Sequence, residues 1–221
     1  MEFDKPVSTI IRNHRVVFWD FDGVIKDSVN VKTDAYVELF RDGGRDVSER
    51  IRHHHRANGG CSRFEKIPLY LSWVGAPTTD EVVNAYCQRF SNMVFHAVID
   101  SDWVPGAYKY LVKHYKAQYF VLISATPQHE MEEILRALGI FDCFAECYGA
   151  PTSKVRAIRT VLSRLSCSTA DAVCLGDAET DFVAAQENNV NFLLRATSHN
   201  QALQRAHNGV VFTDFLDHEQ T

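Results

Sequence analysis

Asp20-Phe21-Asp22-Gly23 places two carboxylates two residues apart, directly after the apolar run Arg15-Val16-Val17-Phe18-Trp19. In extended chain, residues two apart point to the same side. Two acids crowded there repel each other unless a proton or a cation separates them. Mg²⁺, a hard cation that prefers oxygen ligands, would serve. Asp20 is then a candidate nucleophile and Asp22 a candidate carrier of a leaving-group proton. Gly23 lets the chain turn away tightly. The same residues also read as an acidic turn that ends a strand.

Three later segments carry complementary groups. Ser124 ends the run Gln118 to Ile123 and is followed by Ala125, Thr126 and Pro127. A hydroxyl and backbone N–H groups beside a helix start can hold phosphate oxygens. Ser or Thr before Pro is also a routine helix start. Lys154 opens a helical pattern after Gly149-Ala150-Pro151-Thr152-Ser153. A cation in a first turn opposes the helix dipole, and a nearby anion removes the conflict. A solvated surface lysine fits the same position. Gly176-Asp177-Ala178-Glu179-Thr180-Asp181 follows the run Ala172 to Leu175. Asp177 can supply a metal carboxylate; Asp181 sits at the front of the next helix, where acids are favoured in any case.

These segments need a scaffold that gathers them. Apolar runs without alternation at 15–19, 118–123 and 172–175, with weaker ones at 191–194 and 210–212, fit strands buried on both faces of a parallel sheet. Between them, Gln128 to Leu138 repeats apolar residues at Met131, Ile134, Leu135 and Leu138 and stops at Gly139. Thr152 to Leu165 puts Val155, Ile158, Val161, Leu162 and Leu165 on one face. Thr180 to Asn189 reads as a shorter helix. Strand–helix alternation predicts an α/β fold with a Rossmann-like parallel sheet, whose ligands bind outside the carboxyl ends of the strands. From about Val29 to Ile99 the alternation gives way to helical patterns, interrupted at Gly43-Gly44 and Gly59-Gly60. The expected organisation is a core of residues 1–28 and 101–221 with a helical insert at 29–100.

Composition sets the class. Of 221 residues, 46% are hydrophobic and 23% charged, as in ordinary globular chains. A net charge of −5 offers no basic surface for nucleic acid. Met1 to Ile10 carries acids and a Pro with no apolar h-region, and no run is long enough for a membrane helix. The six cysteines lack zinc spacing and read as reduced thiols, so a cytoplasmic protein is expected. The sequence carries no signal for oligomeric state.

Taken in order, the DxDG motif, the Ser, the Lys and the late acidic GDxxxD resemble the haloacid dehalogenase superfamily. Asp20-Phe-Asp-Gly-Val-Ile-Lys-Asp-Ser28 is similar to its subgroup with a helical cap, which includes phosphoglycolate phosphatase and β-phosphoglucomutase. Val104-Pro-Gly-Ala107 and Leu138-Gly-Ile-Phe-Asp142 also look like family segments. The resemblance implies a phosphatase acting on a small phosphorylated metabolite. Asp20 matches the nucleophile and a metal ligand. Asp22 matches the general acid/base, with its carbonyl on Mg²⁺. Ser124 matches the phosphate binder, with Ala125 and Thr126 beside it, and Lys154 the charge stabiliser. Asp177 matches a direct metal ligand and Asp181 a supporting acid at the metal. In the cap, Asn58 to Lys66 resembles a Gly-x-Ser-Arg loop that reaches the substrate, making Ser62 and Arg63 candidate contacts. Ser62 with Glu65 is equally a capping box. His53-His54-His55 do not share a helix face, so a polar cap surface, or one His near the cleft, is expected there.

Alternatives differ in residues. A dehalogenase or phosphonatase of the superfamily is expected to lack the acid at Asp22. A sugar-phosphate mutase keeps all the motifs. A receiver-type signalling domain places its acids before its Lys, whereas Asp177 and Asp181 follow Lys154. A non-catalytic phosphate-binding protein is expected to have lost a motif.

Overall fold

Every residue of β1 (Val16–Trp19) is fully buried, because both faces of the strand are covered. Val16 and Phe18 pack with Val121, Ile123, Ile158 and Val161 on one side. Val17 and Trp19 join Phe120, Leu122, Met131 and Leu135 on the other. The absence of alternation in the sequence is this two-sided burial. The computed structural model describes residues 6–216; residues 1–5 and 217–221 of the expected core lie outside the described residues.

The remaining strands are β2 (Tyr119–Pro127), β3 (Glu146–Ala150), β4 (Ala172–Gly176), β5 (Asn191–Arg195) and β6 (Val210–Phe212). All pair in parallel, in the order β3-β2-β1-β4-β5-β6. The chain adds strands first on one side of β1 and then on the other. Their carboxyl ends therefore flank a crevice at the point of reversal. Register levels them: Trp19 lies beside both Leu122 and Leu175. The residues that follow, Asp20, Ser124 and Asp177, thus emerge at one edge of the sheet.

Two elements differ from the sequence reading. β3 was not expected: Glu146, Cys147 and Tyr148 are half-buried on an outer strand, so the segment has no apolar run to announce it. β2 runs on past Ser124 with a register shift before Pro127. The following helix starts at Gln128 with Pro127 as its cap residue, so neither Ser124 nor Thr126 caps it.

Helices α1 (Val7–Arg12), α6 (Ala107–His114) and α7 (Gln128–Ala137) contribute to the core on one face of the sheet. Helices α8 (Lys154–Leu165) and α9 (Glu179–Glu187) cover the other, and α10 (Gln201–Ala206) follows β5. Between β1 and α6 lie α2 (Val29–Leu39), α3 (Gly44–Ala57), α4 (Arg63–Trp73) and α5 (Asp80–Asp100), with no strand among them. They form the inserted helical cap. The two chain crossings into it are stitched together. Val104 N–H donates to Ile25 O at 3.0 Å, Asp27 N–H to Asp102 O at 2.8 Å, and Lys26 Nζ to Ile99 O at 2.9 Å. All six cysteines are free thiols. Among the described residues, no helix is long and apolar enough to cross a membrane.

Ile158 is fully buried on α8 beneath the sheet, whereas its neighbour Arg159 is exposed. Ile158→Ala is expected to cost about 2–5 kcal/mol in urea unfolding, through lost transfer energy plus a cavity. Arg159→Ala is expected to stay within about 0.5 kcal/mol.

Candidate active site

Asp20 leaves β1 with its N–H bonded to Leu175 O at 3.0 Å, which ties it to β4. Its carboxylate is almost fully buried, and Oδ1 lies 2.7 Å from Lys154 Nζ. Lys154 is the first residue of α8, and the same ammonium donates to Asp181 Oδ1 at 2.6 Å. The cation that opposes its own helix dipole is thus answered by two carboxylates. Asp181 sits in the first turn of α9, where Oδ2 accepts the Ala178 N–H at 3.2 Å. It therefore caps a helix and holds Lys154 at once. Asp177 follows β4 and leans over Gly23, whose φ is +79°. A Cβ at Gly23 would fall 2.2 Å from Asp177 Oδ2, so only glycine admits that carboxylate.

Asp20, Asp177 and Asp181 each offer an oxygen within 4.8 Å of the others. Three buried carboxylates against one ammonium leave negative charge uncompensated. Burial, and then the neighbouring Asp181, push the Asp20 carboxyl up to about 7. Burial, and then Asp20 and Asp181, push Asp177 well above the carboxylate range. Burial works against the Lys154 ammonium, but Asp181 and Asp20 outweigh it and raise its pKa. An all-oxygen cluster with excess negative charge fits a hard divalent cation such as Mg²⁺. Both oxygens of Asp181 already accept hydrogen bonds, which leaves Asp20 and Asp177 as the freer carboxylates.

Asp22 is held differently. Ser28 Oγ donates to its Oδ1 at 2.6 Å and Lys32 Nζ to its Oδ2 at 2.5 Å. Burial disfavours its charge, but Lys32 outweighs burial and lowers its pKa. Lys32 also donates to Thr126 Oγ1 at 2.9 Å, linking α2 to the end of β2. Ser124 stands behind this point: its buried Oγ accepts the Thr126 N–H at 3.1 Å. Ala125 and Thr126 line the cavity, together with Asp20, Asp22, Lys154 and Asp177.

The cavity has a volume of about 390 Å³ and lies between the sheet edge and the cap helices. Ser62 is not among its lining residues. The Ser62 N–H and Oγ donate to Glu65 Oε1 at 3.2 and 3.0 Å at the start of α4. Arg63 does line it, but its guanidinium is taken by the core: NH1 and NH2 donate to Glu130 Oε2 and Oε1 of α7 at 2.8 and 2.6 Å. NH1 also bonds Ser91, and the guanidinium lies over the Phe90 ring. Of the three histidines, His53 is exposed, His54 meets the Tyr70 hydroxyl at 3.0 Å, and His55 lines the cavity.

Several site residues escaped the sequence reading. Lys32 and Lys66 are cations on otherwise buried helix faces, Lys32 with Tyr36 one turn on, Lys66 beside Ile67 and Tyr70. A charge sharing the inward face of an amphipathic helix is the signal that marks them. Asn200, whose Nδ2 donates to Asp177 O at 2.6 Å, had no such signal.

Residues 14–189 match the model of the haloacid dehalogenase-like hydrolases. The chain belongs to this family. No curated protein sequence matches it. Among solved structures, the hydrolase is similar to a predicted phosphoglycolate phosphatase from Haemophilus somnus 129pt, with TM-score 0.72 and 14% identity over 92% of this chain and 95% of the other. It is similar to β-phosphoglucomutase from Clostridium difficile, with TM-score 0.73 and 19% identity over 93% of both chains. It is also similar to CbbY from Rhodobacter sphaeroides in complex with xylulose-(1,5)bisphosphate, with TM-score 0.73 and 15% identity over 92% and 96% of the two chains. At these identities the likeness is one of fold.

Two outcomes follow from the hydrolase site. Arg63→Met or Glu130→Met alone strands a buried charge and is expected to cost about 3–5 kcal/mol. The double variant Arg63→Met/Glu130→Met is expected to cost well under the sum, read as a coupling energy from urea unfolding. Simply additive losses would show the pair to be incidental. The second outcome concerns pH. Asp20 titrates at about 7 in the folded hydrolase against an ordinary 3.8, so the folded state binds more protons than the unfolded chain between those values. Stability of chelated protein is expected to fall as pH rises through that window, with Asp177 adding the same sign. Added Mg²⁺ is expected to flatten the fall in melting temperature.

Proposed function

We propose that this hydrolase is a Mg²⁺-dependent phosphatase that cleaves a small phosphomonoester, of sugar-phosphate or phospho-acid type, through an aspartyl-phosphate on Asp20. The observation that carries the reading is the Asp20 carboxylate at the cavity floor, fixed by Lys154 and followed two residues on by an independently held Asp22. In this reading a core of residues 1–28 and 101–221 performs the chemistry and a cap of residues 29–100 closes over it, in the cytoplasm.

An Asp20 oxygen attacks phosphorus as the bond from phosphorus to the leaving oxygen breaks. The Lys154 ammonium and the Ala125 backbone N–H take up charge on the phosphoryl oxygens, with Ser124 fixing that turn through the Thr126 N–H. Asp22 takes the proton of a monoanionic phosphomonoester as it binds and passes it to the leaving oxygen. The resulting carboxylate, the form that Lys32 favours, then takes a proton from the water that cleaves the acyl phosphate. Mg²⁺ held by Asp20, the Asp22 carbonyl and Asp177, with Asp181 in support, would keep Asp20 ionised and offset phosphoryl charge. In the cap loop Arg63 supplies recognition, reaching substrate when an anion competes with Glu130 for its guanidinium, while Ser62 holds the start of α4.

Asp20→Asn is expected to abolish turnover, because an amide cannot form the acyl phosphate. Asp22→Asn is expected to lose about 10²–10⁴-fold on substrates with alkoxide leaving groups. It should lose less on nitrophenyl phosphate in the first step, and the intermediate should accumulate. Rapid acid quench and mass spectrometry locate the phosphate. A phosphate trapped away from Asp20, or full turnover after exhaustive chelation, overturns the reading.

A further inference from the structure

The cap end of the cavity holds a buried cation that forms no ion pair with an acid among the described residues. Lys66 is 2% exposed and lines the cavity, and its only hydrogen-bond partner among the described residues is His55 Nδ1, at 2.8 Å. Lys32, Lys154 and Arg63, also at the cavity, each hold a carboxylate. Glu65, one residue before Lys66, turns its Oε1 to Ser62 instead. His55 brings no charge: burial, and then the nearby Lys66 and Lys32 ammonium groups, hold its pKa well below the ordinary value. The neutral ring therefore accepts from Lys66 through Nδ1. An ammonium has three N–H donors, so two on Lys66 find no partner among the described residues. A buried cation without an anion is costly, and proteins retain one where a ligand completes the pair. Burial, reinforced by the Lys32 ammonium and only partly offset by Cys61, Asp22 and Glu65, lowers the Lys66 pKa to about 8, a shift that an arriving anion reverses. Tyr36 and Phe90 add apolar lining to the same cavity, which holds both Lys66 and the carboxylates of Asp20, Asp22 and Asp177.

We infer that Lys66, oriented by His55, receives a second anionic group, and that the preferred substrate is a phosphomonoester bearing a further carboxylate or phosphate. The inference rests on the phosphatase reading and narrows its substrate class.

The test compares matched pairs that differ only in the second charge: phosphoglycerate against glycerol phosphate, and fructose bisphosphate against fructose monophosphate. Wild-type protein is expected to favour the doubly anionic member of one pair at least 10-fold in kcat/KM, the pair telling carboxylate from phosphate. Lys66→Met, close in volume, is expected to reduce that ratio by about 10- to 100-fold, the range of a charge-assisted hydrogen bond. Lys66→Arg is expected to restore most of it. Melting curves check that each variant is folded. An equal loss on both members of each pair, or no wild-type preference, overturns the inference. Calorimetric titration of the Asp20→Asn protein with the same compounds separates the two levels. If no phosphomonoester is hydrolysed but binding still favours the doubly anionic member through Lys66, the phosphatase reading falls and the anion site stands. If binding shows no such preference, the anion site falls whatever the turnover.

Discussion

The site is organised around one ammonium among acids. Lys154 sits 2.7 Å from Asp20 and 2.6 Å from Asp181, all three out of water. Buried carboxylates at such density repel, and one cation cannot neutralise three of them. The arrangement persists because β1, β4, α8 and α9 converge there and hold each group by a backbone tie or a helix start. Asp20 is fixed through Leu175, and Asp181 through Ala178. The residual charge is what makes the site suited to a divalent cation and an anionic substrate.

Asp20 and Asp22 show how two like side chains two residues apart acquire different properties. Asp20 is buried and faces Asp181, and holds its proton up to about 7. Asp22 faces Ser28 and Lys32 and is kept ionised. Their difference comes from the cap: Lys32 belongs to α2, the first helix of the insert, and also reaches Thr126 at the end of β2. The insert therefore helps set the charge state of a core carboxylate. The bidentate Arg63–Glu130 pair ties α4 to α7 on the opposite wall. The Gly59-Gly60 turn meets α9: a Cβ at Gly60 would fall 1.9 Å from Thr180 Oγ1.

The sequence by itself determined the parallel sheet with β1, β2, β4, β5 and β6, the helices α7, α8 and α9 and the helical insert, and it marked the acids and lysine of the floor as candidates. Those signals are local: an apolar run of four or five residues, a helix period, an acid or cation at an element's end. Where the local signal was missing, the reading missed too. β3 is an outer strand with half-buried polar residues, and nothing in Glu146-Cys147-Tyr148 separates it from loop. Only the tertiary structure decided which charges meet. Arg63 reads as a free fork in a cap loop, yet Glu130, 67 residues away, occupies it. Lys32 and Lys66 went unmarked in the sequence, yet one pairs with Asp22 and the other stands beside His55 with no ion pair among the described residues. Pairing of charges depends on distances between elements that are remote in sequence, and burial sets whether such a pair is costly, neutral or functional.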